Sequence, residues 1–110
     1  MRLYERRMVI QFARRYPDAE HPLFAWLKEI KATHYENPAQ VRQRHGGVDF
    51  VGNKVIFDIG GNKYRIIARI RYANLKSHPP LNGVVFIFFL GTHREYNKID
   101  VAKLARRLPP

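Results

Sequence analysis

Residues able to do chemistry are concentrated in one short segment, GTHREYNKID (residues 91–100), which directly follows the apolar run VVFIFFL. A histidine, an arginine, a glutamate and a tyrosine occupy the successive positions 93 to 96. His and Tyr side chains can move protons, and an Arg side chain can stabilise the negative charge that builds in a transition state. Two interpretations follow: a polar turn that ends a buried strand, or the edge of an active site.

A second group of polar residues lies in KYRIIARIRY, residues 63–72. Alternate residues of a strand point to opposite faces of a sheet, so Lys63, Arg65, Arg69 and Arg71 share one face and the intervening apolar residues take the other. Alternate positions are roughly 6–7 Å apart, close to the spacing of phosphates along an extended nucleic-acid strand. The pattern predicts a cationic face that binds a polyanion. The alternative is an exposed sheet face whose charges only prevent aggregation.

The net charge favours the polyanion interpretation. Twenty Lys and Arg against nine Asp and Glu give +11. Residues 1–50 contain nine bases and six acids, whereas residues 51–110 contain eleven bases and three acids, so the excess lies in the second half. Such a surplus is typical of proteins that bind nucleic acid. A solvated basic surface without a partner is the alternative.

Length and composition exclude several classes of protein. We expect one domain over residues 1–110, with 45% apolar residues and no cysteine. The sequence contains neither the HExxH, P-loop and GxGxxG motifs nor a familiar metal-ligand spacing among its five histidines, so we expect neither cofactor nor metal. It has no membrane-length apolar run and no signal-peptide pattern, which predicts a cytoplasmic protein with no membrane association.

The N-terminal half predicts two helices. Apolar residues four apart indicate a helix from Arg6 to Tyr16, which Pro17 ends, and a second from about Pro22 to Tyr35. The residues before Arg6, RLY, fit either an edge strand or the start of the first helix. A brief helical turn in PAQVRQRHGG follows the second helix. The two long helices are expected to form an antiparallel hairpin.

The C-terminal half predicts strands separated by glycine turns. The candidates are VDFV, KVIFDI, KYRIIARIRYA and GVVFIFFLG. The last is apolar at both parities, which suggests a central strand covered on both faces. IDVAKLARRL is expected to form a short C-terminal helix. The predicted fold is α+β, with a two-helix hairpin packed on one face of a small antiparallel sheet.

If the last strand pairs with the basic strand, His93, Arg94 and Tyr96 come to one end of the cationic row. Such a site could cleave RNA without a metal. The 2′-hydroxyl must lose a proton, the pentavalent phosphate needs positive charge, and the 5′-oxygen must gain a proton. A Tyr ring can also stack on an unpaired base.

Two segments carry a family resemblance. VDFVGNKVIFDIGGNKYRIIARIRY followed by FIFFLGTHREYNKID resembles the HigB-type toxins of bacterial type II toxin–antitoxin pairs, within the RelE superfamily. YPDAEHPLFAWLKEIK and NPAQVR resemble the helical hairpin of the same family, so the likeness covers about residues 1–101. The combination of GNKYR with GTHxEY is the specific feature. The resemblance implies a RelE-like fold and a ribosome-dependent endonuclease that cuts mRNA in the decoding site.

The resemblance also implies roles for residues and partners. Arg65, His93 and Tyr96 would be catalytic, with Arg65 on the scissile phosphate and the other two in proton transfer or base stacking. RNA-binding cations would be Lys54, Lys63, Arg69, Arg71 and Arg94. A helix-turn-helix antitoxin of the HigA type would neutralise the toxin, and operator DNA would be bound only through that antitoxin.

The chain departs from the family pattern at two places. Asn97 stands where the family usually has Asp, so an orienting carboxylate must come from elsewhere, with Glu95 as one candidate. The segment from Asn74 to Gly83 is longer than the usual hairpin. Two other functions stay open: a basic module that binds RNA or DNA without cleaving it, and an inactive protein that mainly holds its antitoxin.

Overall fold

A computed structural model describes residues 1–99 of the chain. Within this range the chain has five strands and four α-helices, and a 3₁₀ turn, Pro17–Ala19, lies between the first two helices. In chain order they are β1 (Arg2–Tyr4), α1 (Arg6–Arg15), α2 (Glu20–Ala32), α3 (Pro38–Arg44), β2 (Asp49–Val51), β3 (Lys54–Ile59), β4 (Tyr64–Arg71), β5 (Val84–Thr92) and α4 (His93–Tyr96). The predicted C-terminal helix, IDVAKLARRL, lies almost wholly outside the described residues.

The strands form one sheet in the order β1-β5-β4-β3-β2. Strands β2 to β5 pair antiparallel; the predicted glycine turns join β2 to β3 and β3 to β4, and the longer segment 72–83 joins β4 to β5. The segment RLY is an edge strand, and it pairs parallel to β5, so the sheet is mixed rather than wholly antiparallel. A parallel pair requires a crossover connection instead of a hairpin, and here the helical N-terminal half supplies that crossover. The α+β class is confirmed.

The helices begin and end close to the predicted residues. Helix α1 ends at Arg15, just before Pro17. Helix α2 begins two residues before Pro22 and ends at Ala32, three residues before the predicted end. Proline is tolerated in a first helical turn because its missing N–H has no partner there. None of the helices within residues 1–99 is long and apolar enough to cross a membrane.

The main core lies between the helices and one face of the sheet. Leu23 and Ile30 of α2 are fully buried against this face, as are Val9 of α1 and Val41 of α3. The side chains of β4 alternate as predicted, since Ile66 and its even-numbered neighbours belong to this core. The other face of the sheet, called the open face here, is therefore the one that receives Arg65, Arg69 and Arg71.

A β-bulge in β5 shapes the open face. Ile67 pairs with Phe89 but Ala68 pairs with Ile87, so Phe88 is the extra residue. Phe88 contacts a cation of the open face, and Phe89 packs in the open-face cluster. Strand β5 is apolar on both faces, with Val85 and Ile87 in the main core and Phe86 and Phe89 on the open face, and this pattern predicted a doubly covered strand. Strand β5 does lie inside the sheet, but its open-face rings are only half-buried.

Candidate active site

Arg65 is held in place on the open face by two neighbours from different elements. Its Nε donates a hydrogen bond of 2.9 Å to Oδ1 of Asp58, the residue directly opposite on β3. Its guanidinium carbon lies 4.5 Å from the ring centroid of Tyr96 in α4. The side chain keeps 23% of its surface exposed. Arg65 is thus oriented without being enclosed, and within residues 1–99 its terminal N–H groups form no hydrogen bond.

The segment THREY forms the one-turn helix α4 instead of a turn. Thr92 and Glu95 form a capping box: the Thr92 hydroxyl accepts from the Glu95 N–H at 3.2 Å, and Glu95 Oε1 accepts from the Thr92 N–H at 3.0 Å. These bonds satisfy N–H groups that an isolated helical turn leaves unpaired. The bond from the Thr92 N–H also lowers the pKa of Glu95. Glu95 therefore stabilises α4 and is not the orienting carboxylate that the sequence suggested.

Helix α4 brings His93 and Tyr96 together beside Arg65. The two rings are 6.3 Å apart between centroids. The backbone N–H of His93 donates to the carbonyl of Lys63 at 3.0 Å, which fixes the start of α4 to the β3–β4 turn. Asn97 Nδ2 lies 3.4 Å from His93 Nδ1, so the residue that departs from the family pattern contacts the imidazole. Tyr96 thus connects the other two residues, since Arg65 lies over its ring and the His93 ring is its aromatic neighbour.

A small second core supports α4. Ile56 and Ile67 are buried on the open face, and Tyr96, Phe89 and Ile99 pack against them. Gly91 makes this packing possible, since a Cβ at that position would lie 2.4 Å from Cζ of Phe89. The smallest side chain at the end of β5 thus lets the Phe89 ring lie flat under the helix.

Lys54 does not join the surface row of cations that the sequence predicted. It is fully buried on the open face, with its Nζ 4.1 Å from the ring centroid of Phe88 and 3.0 Å from Oδ1 of Asn53. Burial lowers the pKa of Lys54, and the neighbouring Arg69 lowers it further. The extra aromatic residue of the β5 bulge covers the ammonium group, so Lys54 presents no charge to a ligand in this conformation.

Lys63 also lies apart from the row. It belongs to the β3–β4 turn, and its Nζ is 3.5 Å from Oδ2 of Asp18 on the helix-covered side. Asp18 also accepts a hydrogen bond from the Tyr64 hydroxyl, which lowers the pKa of Asp18 and raises that of Tyr64 to about 12. Lys63 is exposed, but its local partner draws it away from Arg69 and Arg71.

The remaining predicted cations are at the surface. Arg69 is half-buried and Arg71 exposed on β4, and Arg94 is exposed on α4. Arg71 lies over the ring of Phe86, with 5.8 Å from the guanidinium carbon to the centroid. Arg65, Arg69 and Arg71 thus follow one face of one strand, as the alternation predicted.

Sequence reasoning missed two contributors to this site. Asp58 follows from register, since a turn at Gly60 and Gly61 places it opposite Arg65. The capping box of α4 was visible as T-x-x-E at Thr92 and Glu95, a pattern that marks the start of a helix. Among residues 1–99 no three His, Asp or Glu side chains cluster as metal ligands do.

Comparison with known proteins agrees with this geometry. Residues 19–99 match the family model described as HigB_toxin, RelE-like toxic component of a toxin–antitoxin system. The match spans most of the chain and contains every residue of the site, so the chain belongs to the HigB toxin family. It is the toxin component of a toxin–antitoxin pair, and such a pair implies an antitoxin as its partner. A curated relative is the mRNA interferase HigB of Escherichia coli O6:H1 (strain CFT073), 28% identical over 90 residues, which cover 79% of this chain and 80% of the relative.

Proposed function

We propose that this toxin is an mRNA interferase, an endoribonuclease that cuts messages on the ribosome without a metal. The observation that carries the proposal is the contact of Arg65 with Tyr96, at 4.5 Å, beside His93 on an open cationic face. The name of the Escherichia coli relative, mRNA interferase HigB, supports the same activity.

In the proposed reaction, Arg65 binds the scissile phosphate. The 2′-oxygen attacks the adjacent phosphorus as it loses its proton, the bond from phosphorus to the 5′-oxygen breaks, and that oxygen receives a proton. The guanidinium stabilises the charge of the pentavalent phosphate. His93 and Tyr96 supply the two proton transfers between them. Asp58 positions Arg65 through the Nε hydrogen bond, which turns the terminal N–H groups toward the substrate.

Substrate binding is assigned to the remaining surface cations. Arg69 and Arg71 continue the line of Arg65 along β4, and Arg94 projects from α4. Each would bind a phosphate of the message or of ribosomal RNA, and the affinity would fall as salt rises. Lys63 is a weaker contributor because Asp18 competes for its ammonium group. Lys54 acts through packing instead.

The partners are assigned by family. The antitoxin is proposed to be a helix-turn-helix protein of the HigA type, which also carries the complex to operator DNA. Translating ribosomes and mRNA are proposed as the substrate assembly, which places the toxin in the cytoplasm.

Inducible expression tests the activity. The wild-type chain should arrest growth and shorten reporter mRNA in a translating extract, whereas Arg65→Ala and His93→Ala should do neither. Loss of one transition-state donor typically lowers a rate by about 10²–10³-fold. Arg7→Ala, which removes an exposed charge from α1, is the matched control and should stay toxic. Toxicity that persists in both site variants would remove Arg65 and His93 from the mechanism, whereas intact mRNA with tight RNA binding would identify a non-catalytic binding protein.

A further inference from the structure

A pair of stacked aromatic rings lies on the open face at the end remote from Arg65. Tyr4 of β1 and Phe86 of β5 are 5.1 Å apart between ring centroids and within 7° of parallel. Although it is stacked, Tyr4 keeps 42% of its surface exposed. A single exposed ring is normal on a folded domain, so the significance of this pair depends on the groups around it.

An arginine flanks each ring of the pair. The guanidinium carbon of Arg2 is 5.3 Å from the Tyr4 centroid, and that of Arg71 is 5.8 Å from the Phe86 centroid. A cavity of about 330 Å³ opens beside the rings, lined by Tyr4, Glu5, Phe86 and Ile87. Arg2 and Arg71 also line a second cavity of about 410 Å³. Aromatic surface, positive charge and concave space therefore coincide.

Such an arrangement matches the chemistry of an unpaired nucleotide. Every base has a flat face that stacks on an aromatic ring, and an adjacent guanidinium binds the phosphate. Glu5 is the acid at the cavity, and a carboxylate there can accept a hydrogen bond from the amino group of a base.

We propose that Tyr4, Phe86, Arg2 and Arg71 form a stacking platform for one unpaired RNA base, on the same face as the active site. From Arg71 to Arg65 is six residues of β4, or about 20 Å. At ~6–7 Å between phosphates this equals about three nucleotides of extended strand, within the span of known single-strand sites. This proposal depends on the proposed function, because that function supplies the RNA substrate. The platform adds a second point of contact with the RNA, apart from the scissile phosphate at Arg65.

The first test measures binding separately from cleavage. Arg65→Ala protein is mixed with single-stranded RNA oligonucleotides that carry 2-aminopurine at successive positions. Fluorescence should be quenched most at one position, and Tyr4→Ala or Phe86→Ala added to the same background should abolish that quenching and weaken binding roughly 5- to 100-fold. Tyr4→Phe should retain both signals, because only the ring is required.

Phe24→Ala is the matched control. Phe24 is also 42% exposed, but it lies on α2 on the helix-covered side. It should leave quenching and affinity unchanged. Equal effects of Phe24→Ala and Tyr4→Ala would overturn the proposal.

The second test identifies the source of the base. Arg65→Ala protein is irradiated with ultraviolet light on programmed ribosomes, and crosslinked peptides are sequenced by mass spectrometry. A nucleotide attached to the peptide of Tyr4 or Phe86 supports the platform, and its sequence distinguishes message from ribosomal RNA. Absence of both crosslink and quenching overturns the platform, as does a Tyr4→Ala variant that loses only antitoxin binding. These outcomes concern binding only. Cleavage of mRNA by the wild-type protein is a separate measurement, and its absence would overturn the proposed function whatever the platform tests show.

Discussion

Ile66 and Ile67 are consecutive residues of β4, both fully buried, but they belong to different regions of the molecule. Ile66 packs in the large core beneath the helices, together with residues of α1, α2, α3, β3 and β5. Ile67 packs with Ile56 in the small core of the open face, beneath Tyr96 and Phe89. The large core accounts for most of the buried apolar surface, whereas the small one mainly positions α4.

The open face accommodates its positive charges mainly against aromatic rings. Among the described residues, four cations of the open face rest against aromatic rings: Arg2 on Tyr4, Lys54 on Phe88, Arg65 on Tyr96 and Arg71 on Phe86. A ring attracts a cation without neutralising it, unlike a carboxylate. On this face Asp58 is the acid that pairs with an arginine among the described residues. These ring contacts therefore fix the conformations of the basic side chains and leave the electrostatic potential of the open face positive.

The largest expected effect is a loss of stability, and its size should differ between substitutions in the large core and in the small one. Ile66→Ala should lower the free energy of unfolding by about 2–5 kcal/mol, because it removes buried methylene groups and leaves a cavity. Ile67→Ala should fall at the low end of the same range, since α4 can settle onto the smaller side chain. Urea denaturation followed by circular dichroism measures both.

Activity should show the opposite order. At a temperature where both variants remain folded, Ile67→Ala should lose more RNA cleavage than Ile66→Ala, because it displaces Tyr96 from Arg65. Equal losses of cleavage per unit of lost stability would mean that the open-face core has no positioning role.

The next effect concerns Asp58 as a positioning residue. Asp58→Asn keeps the side-chain shape but weakens the charge-assisted bond that orients Arg65. We expect kcat to fall about 10-fold while KM stays equal or decreases, because one repulsive carboxylate leaves the phosphate path. Steady-state cleavage assays give the two constants separately. A rise in KM at constant kcat would show that Asp58 acts in substrate binding instead.

Local rules predicted much of this fold. Alternation along KYRIIARIRY placed Arg65, Arg69 and Arg71 on one face because side-chain direction in a strand depends only on parity. Glycine turns at Gly52 and Gly60 set the hairpins for the same reason: the required backbone conformations are local. The parallel pairing of β1 depends on contacts between the two ends of the chain, which no local pattern encodes.

The site was harder to predict where it depends on the bulge. Parity places Lys54 on the open face next to Arg69, where a row of surface cations would leave it exposed. The extra residue, Phe88, puts a ring over Lys54 instead, and nothing in VVFIFFL marks where the bulge falls. Pairing of Lys63 with Asp18 likewise depends on how the 3₁₀ turn packs beneath β4.

A smaller effect concerns His45, which should make the free energy of unfolding depend on pH. His45 packs edge-on against Phe57 at 4.9 Å and its Nε2 lies 2.8 Å from the Tyr35 hydroxyl. Burial lowers its pKa from 6.5; nearby Glu29 opposes this shift and Arg44 adds to it. The unfolded chain therefore binds the proton more tightly, so stability should fall as the pH drops below about 6.5.

His45→Gln tests this dependence. The variant should show a flatter stability profile between pH 7 and pH 5 in urea denaturation. His21→Gln, which removes an exposed histidine from α2, should keep the wild-type slope. An identical slope in all three proteins would assign the acid sensitivity to other groups.

The smallest expected effect belongs to Lys54, the buried cation of the open face. Its pKa is lowered from 10.5, so as the pH rises the folded protein releases this proton before the unfolded chain does, and the free energy of unfolding increases. Lys54→Met, similar in volume, should remove that increase between pH 7 and pH 9, where the tyrosines of the unfolded chain are still mostly protonated. At pH 7 the substitution should change the free energy of unfolding by no more than about 1 kcal/mol, because replacing a buried charge with an apolar group is often neutral.

RNA affinity tests whether Lys54 binds the substrate directly. Arg69→Ala should weaken RNA binding more than Lys54→Met does, since Arg69 reaches solvent and Lys54 does not. An equal loss in the two variants would mean that Lys54 leaves Phe88 and binds phosphate when RNA is present.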